Sequence, residues 1–234
     1  MQAKRITIIT GAFGSGKTEV AVNYAQELKR SGQNVGLIDL DIVNPYFRSR
    51  ELTDFLKQQG IEVVSTQPGL EMADLPALSP RIFAFLQNEE LRVVFDVGGD
   101  PVGARTLGRF EPYFRTNGYD LWLVVNPYRP GYSAPEQITK LARKIEAATQ
   151  LRLTEVVDNA NLGRQTDQQT RAEGAKVVAA AARMLNLPVV LKTYTAKELR
   201  GAEEREQAGN NLFYLQLFML PPWEEVESGV QKQN

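Results

Sequence analysis

Four groups of residues in this chain have the types and spacing to handle phosphate, a hard metal ion and a purine. Gly11-Ala12-Phe13-Gly14-Ser15-Gly16-Lys17-Thr18 has the GxxxxGK[ST] spacing of a phosphate-binding loop. Gly11, Gly14 and Gly16 permit the backbone angles that turn N–H groups inward around phosphate oxygens. Lys17 can reach the β- and γ-phosphates, and Thr18 can offer its hydroxyl to Mg²⁺. Ser15 inside the loop and Glu19 just after it complete the nucleotide-binding set. Asp39 and Asp41 stand two residues apart, and strand alternation would point them to the same side. Asp96 closes an apolar run and precedes Gly98-Gly99. A carboxylate there accepts hydrogen bonds from Mg²⁺-bound water, and Gly99 lets backbone approach a γ-phosphate. Asn159 carries an amide that can pair with both a donor and an acceptor on a purine edge.

The elements that must position these groups can be read from pattern. An apolar run, Arg5 to Thr10, precedes the Gly-rich loop, and a helical pattern, Glu19 to Leu28, follows it. Strand, loop and helix in that order separate a phosphate loop from a chance match. Ser31-Gly32 stops the helix, and Asn34 to Asp39 reads as a second buried strand. Pro45 forbids regular structure just beyond Asp41. A helix over 51–59, a short strand over 61–65 and a helix from Ser79-Pro80 to about Asn88 lead to the strand 91–96. Arg105 and Arg109 are placed four apart on the helix that follows. Further strands are predicted over 119–125, 153–158 and 188–191, with helices over about 134–148 and from a Thr166-Asp167 cap to about Leu185. The apolar patch 212–220 is left without an element. About seven strands separated by helices, without hairpin signals, predict an α/β, doubly wound, mostly parallel sheet with helices on both faces. Residues 1–222 form one domain in this reading, and 223–234 a polar tail.

Composition removes several chemistries. The 234 residues hold no cysteine and no histidine, so disulfides, thiolate metal sites and imidazole bases are out. A metal here is a hard ion held by oxygen, and Mg²⁺ fits. The net charge of −1 gives no argument for nucleic acid. No stretch approaches the ~18 apolar residues of a membrane span, so a soluble cytoplasmic protein is the expectation.

GAFGSGKT, LIDLDIVNP and VVFDVGGD follow one another in an order that resembles the MinD/ParA and CobQ/CobB group of P-loop ATPases, over roughly residues 4 to 192. The resemblance implies ATP and Mg²⁺ as ligands. It puts the lysine and hydroxyl of the loop on Lys17 and Thr18, the metal side on Asp39 and Asp96, and the residue that orients the attacking water on Asp41. Its adenine-reading asparagine falls on Asn159. One departure is plain. The MinD/ParA type has an extra lysine early in the loop that reaches across an ATP-bound homodimer, and this chain has Ala12 there. An arginine such as Arg48, Arg50, Arg105 or Arg109 would have to substitute, or dimerisation does not gate hydrolysis. The amphipathic C-terminal membrane helix of MinD has no counterpart either.

The resulting expectation is an Mg·ATP-hydrolysing switch read by a protein partner. A small-molecule kinase or ATP-dependent ligase is an alternative, with Asp41 addressing a substrate hydroxyl and Tyr46, Arg48 and Arg105 lining a pocket. A metallochaperone-type GTPase is a second. The absence of Cys and His weighs against metal delivery, and Asp158-Asn159-Ala160-Asn161 is not a clear Asn-Lys-x-Asp guanine motif. A nucleotide-binding module without useful turnover is a third.

Overall fold

A computed structural model describes residues 4–40, 50–65, 80–195, 198 and 211–218. Asp41, Tyr46 and Arg48 lie outside the described residues, as does the polar tail. Nothing is described of the Arg50 side chain either, although its backbone opens a helix.

The chain alternates strand and helix from the start. β1 (Ile6–Gly11) leads through the Gly-rich loop to α1 (Lys17–Arg30), then β2 (Asn34–Asp39), α2 (Arg50–Gln58) and β3 (Ile61–Ser65). α3 (Pro80–Gln87), β4 (Leu91–Gly98), α4 (Pro101–Gly108), α5 (Glu111–Asn117) and β5 (Asp120–Val125) follow. The chain continues with α6 (Pro135–Thr149), β6 (Glu155–Asp158), α7 (Gln168–Leu185), β7 (Val189–Thr195) and β8 (Leu212–Leu215). The strands form one sheet in the order β3-β2-β4-β1-β5-β6-β7-β8, and every pairing is parallel.

Parallel strands are buried on both faces, so their residues must be apolar in both directions. β1 shows how. Ile6 and Ile8 join one core with Val93, Phe95, Phe110, Phe114, Leu121 and Leu123. Ile9 turns the other way, into a second core with Val20, Val22, Leu37, Val94, Trp122 and Val124. In the first core the Phe95 ring meets Phe114 edge-on at 5.5 Å between centroids, a favoured aromatic geometry. In the second, Tyr24 of α1 packs on Trp122 at 4.7 Å. The doubly wound architecture read from sequence is therefore present. β1 lies between β4 and β5, where the winding changes direction, and ligands of open α/β sheets sit at the carboxyl ends of such strands.

Three details differ from the sequence expectation. An eighth strand, β8, adds to the sheet edge with Lys192 opposite Leu212. It comes from the apolar patch that pattern alone left unassigned. The segment after β4 is two helices rather than one: α4 stops at Gly108, and α5 restarts with Pro112 in its first turn. Arg109 thus falls in the break and not on a face shared with Arg105. Both arginines are exposed. Among the described residues no helix is long and apolar enough to cross a membrane.

Candidate nucleotide site

The Gly-rich loop is held from three sides. Gly11 ends β1 opposite Gly98 of β4 and Val124 of β5. A Cβ on Gly11 would stand 2.5 Å from the Val124 carbonyl oxygen, so that strand pairing requires glycine. The Ser15 N–H closes a turn onto the Ala12 carbonyl at 3.0 Å. Gly14 and Gly16 then take φ of +71° and +85°, the left-handed region that glycine enters without a steric penalty.

Two side chains grip adjacent carbonyls of the loop. The Arg129 Nε donates to Gly14 O at 2.6 Å, and the Asn159 Nδ2 donates to Ser15 O at 2.6 Å. A trans peptide is planar, with its N–H opposite its C=O. Holding Ser15 O against Asn159 therefore aims the Gly16 N–H away from Asn159, and that donor lies at the start of α1, where the helix dipole is positive. Lys17 and Thr18 begin the helix and are both buried.

The acids lie next to the loop. Asp39 of β2 and Asp96 of β4 are register partners on neighbouring strands, 1% and 0% exposed. The Thr18 Oγ1 donates to Asp96 Oδ2 at 2.7 Å. A hydroxyl and two carboxylates from three elements thus converge beside the phosphate loop, and such hard oxygen donors suit Mg²⁺. Among the described residues no group of three or more acids forms a cage of its own. Gly99 packs against the end of β1: a Cβ there would fall 2.3 Å from Gly11 O.

Asn159 is placed differently from a base reader. It is buried at the end of β6, with its amide on Ser15 O and its Oδ1 accepting the Thr193 hydroxyl. Both ends of the side chain are thus engaged within the protein, which makes it a brace of the phosphate loop. Around it, Asn126 Nδ2 donates to Asn161 O at 3.0 Å, and Asn161 Nδ2 donates to Asn159 O at 2.8 Å. Burial raises the Asp158 carboxyl above its usual range, opposed by the Ala160 N–H and by the charges of Arg171 and Lys192.

Glu19 also has a different use. Both of its carboxylate oxygens accept the Phe218 N–H, at 2.9 and 3.1 Å. One turn on, Asn23 receives the Gln216 N–H on its Oδ1 and donates its amide to Gln216 O, at 2.8 and 2.9 Å. Sequence reading missed Arg129, Thr193 and Asn23. Only Arg129 had a signal: it lies between Pro127 and Pro130, after a strand that neighbours the phosphate loop.

No family model matches the chain, and no curated protein matches it. Solved structures do. FtsY from Thermotoga maritima is 17% identical, with 93% of this chain and 66% of that chain aligned and a TM-score of 0.58. The signal recognition particle receptor FtsY from Elizabethkingia anophelis, in complex with GDP, is 18% identical over 93% and 61%, with a TM-score of 0.52. The signal recognition particle 54 kDa protein from Aeropyrum pernix, also in complex with GDP, is 17% identical over 82% and 41%, with a TM-score of 0.51.

The fold is that of a P-loop NTPase. The chain spans about three-fifths of the length of the FtsY structures that it resembles. Two expectations are corrected here. The kinship read as MinD/ParA and CobQ/CobB gives way to a likeness to FtsY and the 54 kDa protein. A phosphate loop with a strand-end acid for the metal is common to P-loop NTPases in general, so the order of these motifs could not separate the two groups. Ala12, in place of the extra lysine, already departed from MinD/ParA. ATP as the ligand is corrected as well. The two structures named above with a nucleotide hold GDP, and the asparagine expected to read adenine is engaged with Ser15 and Thr193.

Proposed function

We propose that this chain is a guanine-nucleotide switch. It binds Mg·GTP in the loop Gly11–Thr18, hydrolyses it to GDP and inorganic phosphate, and presents the two states to a protein partner. The observation that carries the reading is the braced loop with Thr18 bonded to Asp96 at its mouth. Guanine is favoured because structures of similar fold hold GDP.

Lys17 and the loop amides hold the phosphates, and the α1 N-terminus adds its dipole. Thr18, Asp39 and Asp96 would hold Mg²⁺. The ion, when bound, would neutralise negative charge on the phosphates. Asp41, two residues beyond Asp39, orients the attacking water; it need not be a strong base, since phosphoryl transfer is mostly positioning and electrostatics. Gly99, set against Gly11, carries the state of the γ-phosphate into α4.

Titration with a fluorescent GDP analogue, competed by GDP, GTP and ATP in the presence of Mg²⁺, tests the reading. GDP and GTP should displace the probe at concentrations well below those of ATP, and Lys17→Ala should lose the binding while keeping its fold. ATP competing as well as GTP would overturn the guanine assignment. A folded Lys17→Ala with unchanged affinity and turnover would overturn the site.

A further inference from the structure

Arg129 is mounted more rigidly than a solvent-facing arginine requires. Its N–H donates to Asn126 O at 3.2 Å, and its carbonyl accepts the Tyr132 N–H at 3.1 Å. The preceding residue is pinned by Tyr128 N–H to Asn126 Oδ1 at 3.1 Å and by its own hydroxyl on Thr170 O. Pro127 and Pro130 fix two further φ angles. This scaffold delivers the side chain onto the phosphate loop. Its Nε donates to Gly14 O, and the guanidinium carbon lies 3.3 Å from where a Gly14 Cβ would be. The planar group rests on the glycine, and a side chain at position 14 would displace it.

A guanidinium has five N–H donors. Among the described residues, Arg129 uses one of them in a side-chain hydrogen bond, the bond to Gly14. The rest stand, exposed, at the rim of a loop built for phosphate. Arginine's fork matches phosphate oxygens in pairs, and its charge persists at every physiological pH.

We infer that Arg129 clamps the phosphate chain of the bound nucleotide in cis, with Nε on the loop and the terminal nitrogens on phosphate oxygens. This rests on the nucleotide reading above and adds a residue to it. The role assigns to the chain's own β5–α6 loop a positive charge at the phosphates, where Ala12 supplies none. The competing role is a neutral brace that only holds the Gly14 peptide. The two differ in what they require. A clamp needs charge, and its contribution grows with the number of phosphates. A brace needs one donor and is indifferent to the phosphate count.

The test compares wild type with Arg129→Ala, Arg129→Lys and Arg129→Gln by equilibrium titration of GMP, GDP and GTP with Mg²⁺. Thermal unfolding of each variant confirms the fold, which an exposed side chain should leave intact. A clamp predicts that Ala and Gln weaken GTP by about 10–100-fold, as for a charge-assisted hydrogen bond. The loss is smaller for GDP and least for GMP, Lys recovers part of it, and raising salt narrows the gap. Equal losses across the three nucleotides, with Gln restoring wild-type affinity, would make Arg129 a brace and overturn the inference. Unchanged affinity in Arg129→Ala would overturn it outright. If wild type itself binds none of the three, the nucleotide reading fails first, a result separate from either outcome at Arg129.

Discussion

Gly99→Ala should damage the site from outside the phosphate loop. An added Cβ would stand 2.3 Å from Gly11 O and 2.8 Å from Gly11 C, and both are backbone atoms. Side-chain Cβ atoms essentially never come closer than 3.0 Å to a neighbour. The contact with the oxygen must therefore open by the difference from 2.3 Å, about 0.7 Å. Gly11 cannot yield alone, because it is paired with Gly98 and Val124 and itself starts the loop. Overpacking of this kind costs about 1–3 kcal/mol, and each kcal/mol lowers Tm by about 2–4 °C in a chain of this size. A shift approaching 1 Å at the phosphates costs far more in function, up to about 100-fold in turnover. Gly36→Ala is the matched comparison. Its Cβ would meet the Phe85 ring at 2.5 Å, a side chain of α3 in the first core and not a backbone atom of the loop. Calorimetric unfolding and GDP titration on both variants should show similar losses of stability, with affinity lost only in Gly99→Ala. Wild-type affinity in a folded Gly99→Ala would refute the claim that this contact sets the geometry of the loop.

Thr18→Val keeps the shape and removes the hydroxyl bonded to Asp96; nucleotide affinity should stop responding to Mg²⁺, which a titration with and without chelator shows. Asn159→Ala leaves Ser15 O without its 2.6 Å donor and should cost about 1–3 kcal/mol of stability, read by urea unfolding, together with weaker GDP binding. Asp158→Asn bears on pH. Burial raises the folded-state pKa of Asp158, against the charges of Arg171 and Lys192. A raised folded pKa means that the folded state holds the proton more tightly than the unfolded chain does. The contribution is complete below the unfolded value and is lost as pH rises through the folded one. Denaturant melts should then show Asp158→Asn gaining on wild type between acid and neutral pH, and a constant difference would refute this.

The apolar runs that end in Gly11, Asp39 and Asp96 marked both the strands and the site, because a strand buried on both faces leaves only its end for polar chemistry. Asn159 shows where such reading stops. An amide at a strand end looks the same in sequence whether it faces a base or turns back onto Ser15, and only the position of Thr193, 34 residues on, decides. β8 escaped for a related reason. Leu212–Leu215 is too short to announce a strand until β7 offers an edge and α1 offers Asn23 and Glu19. Arg129 was passed over because its purpose depends on Gly14, 115 residues earlier.

The bonds from Glu19 and Asn23 to Phe218 and Gln216 join residues 199 and 193 positions apart. On a ribosome making about 5–20 residues each second, such partners emerge on the order of 10–40 s apart. The helix that follows the phosphate loop leaves the tunnel before β8, yet two of its buried polar groups wait for the residues just beyond that strand. Until then a carboxylate and an amide that the finished protein encloses must stay hydrated. Between these segments synthesis order and completion order run opposite to each other: the phosphate-loop helix is made well before residues 216–218 and is secured only once they arrive.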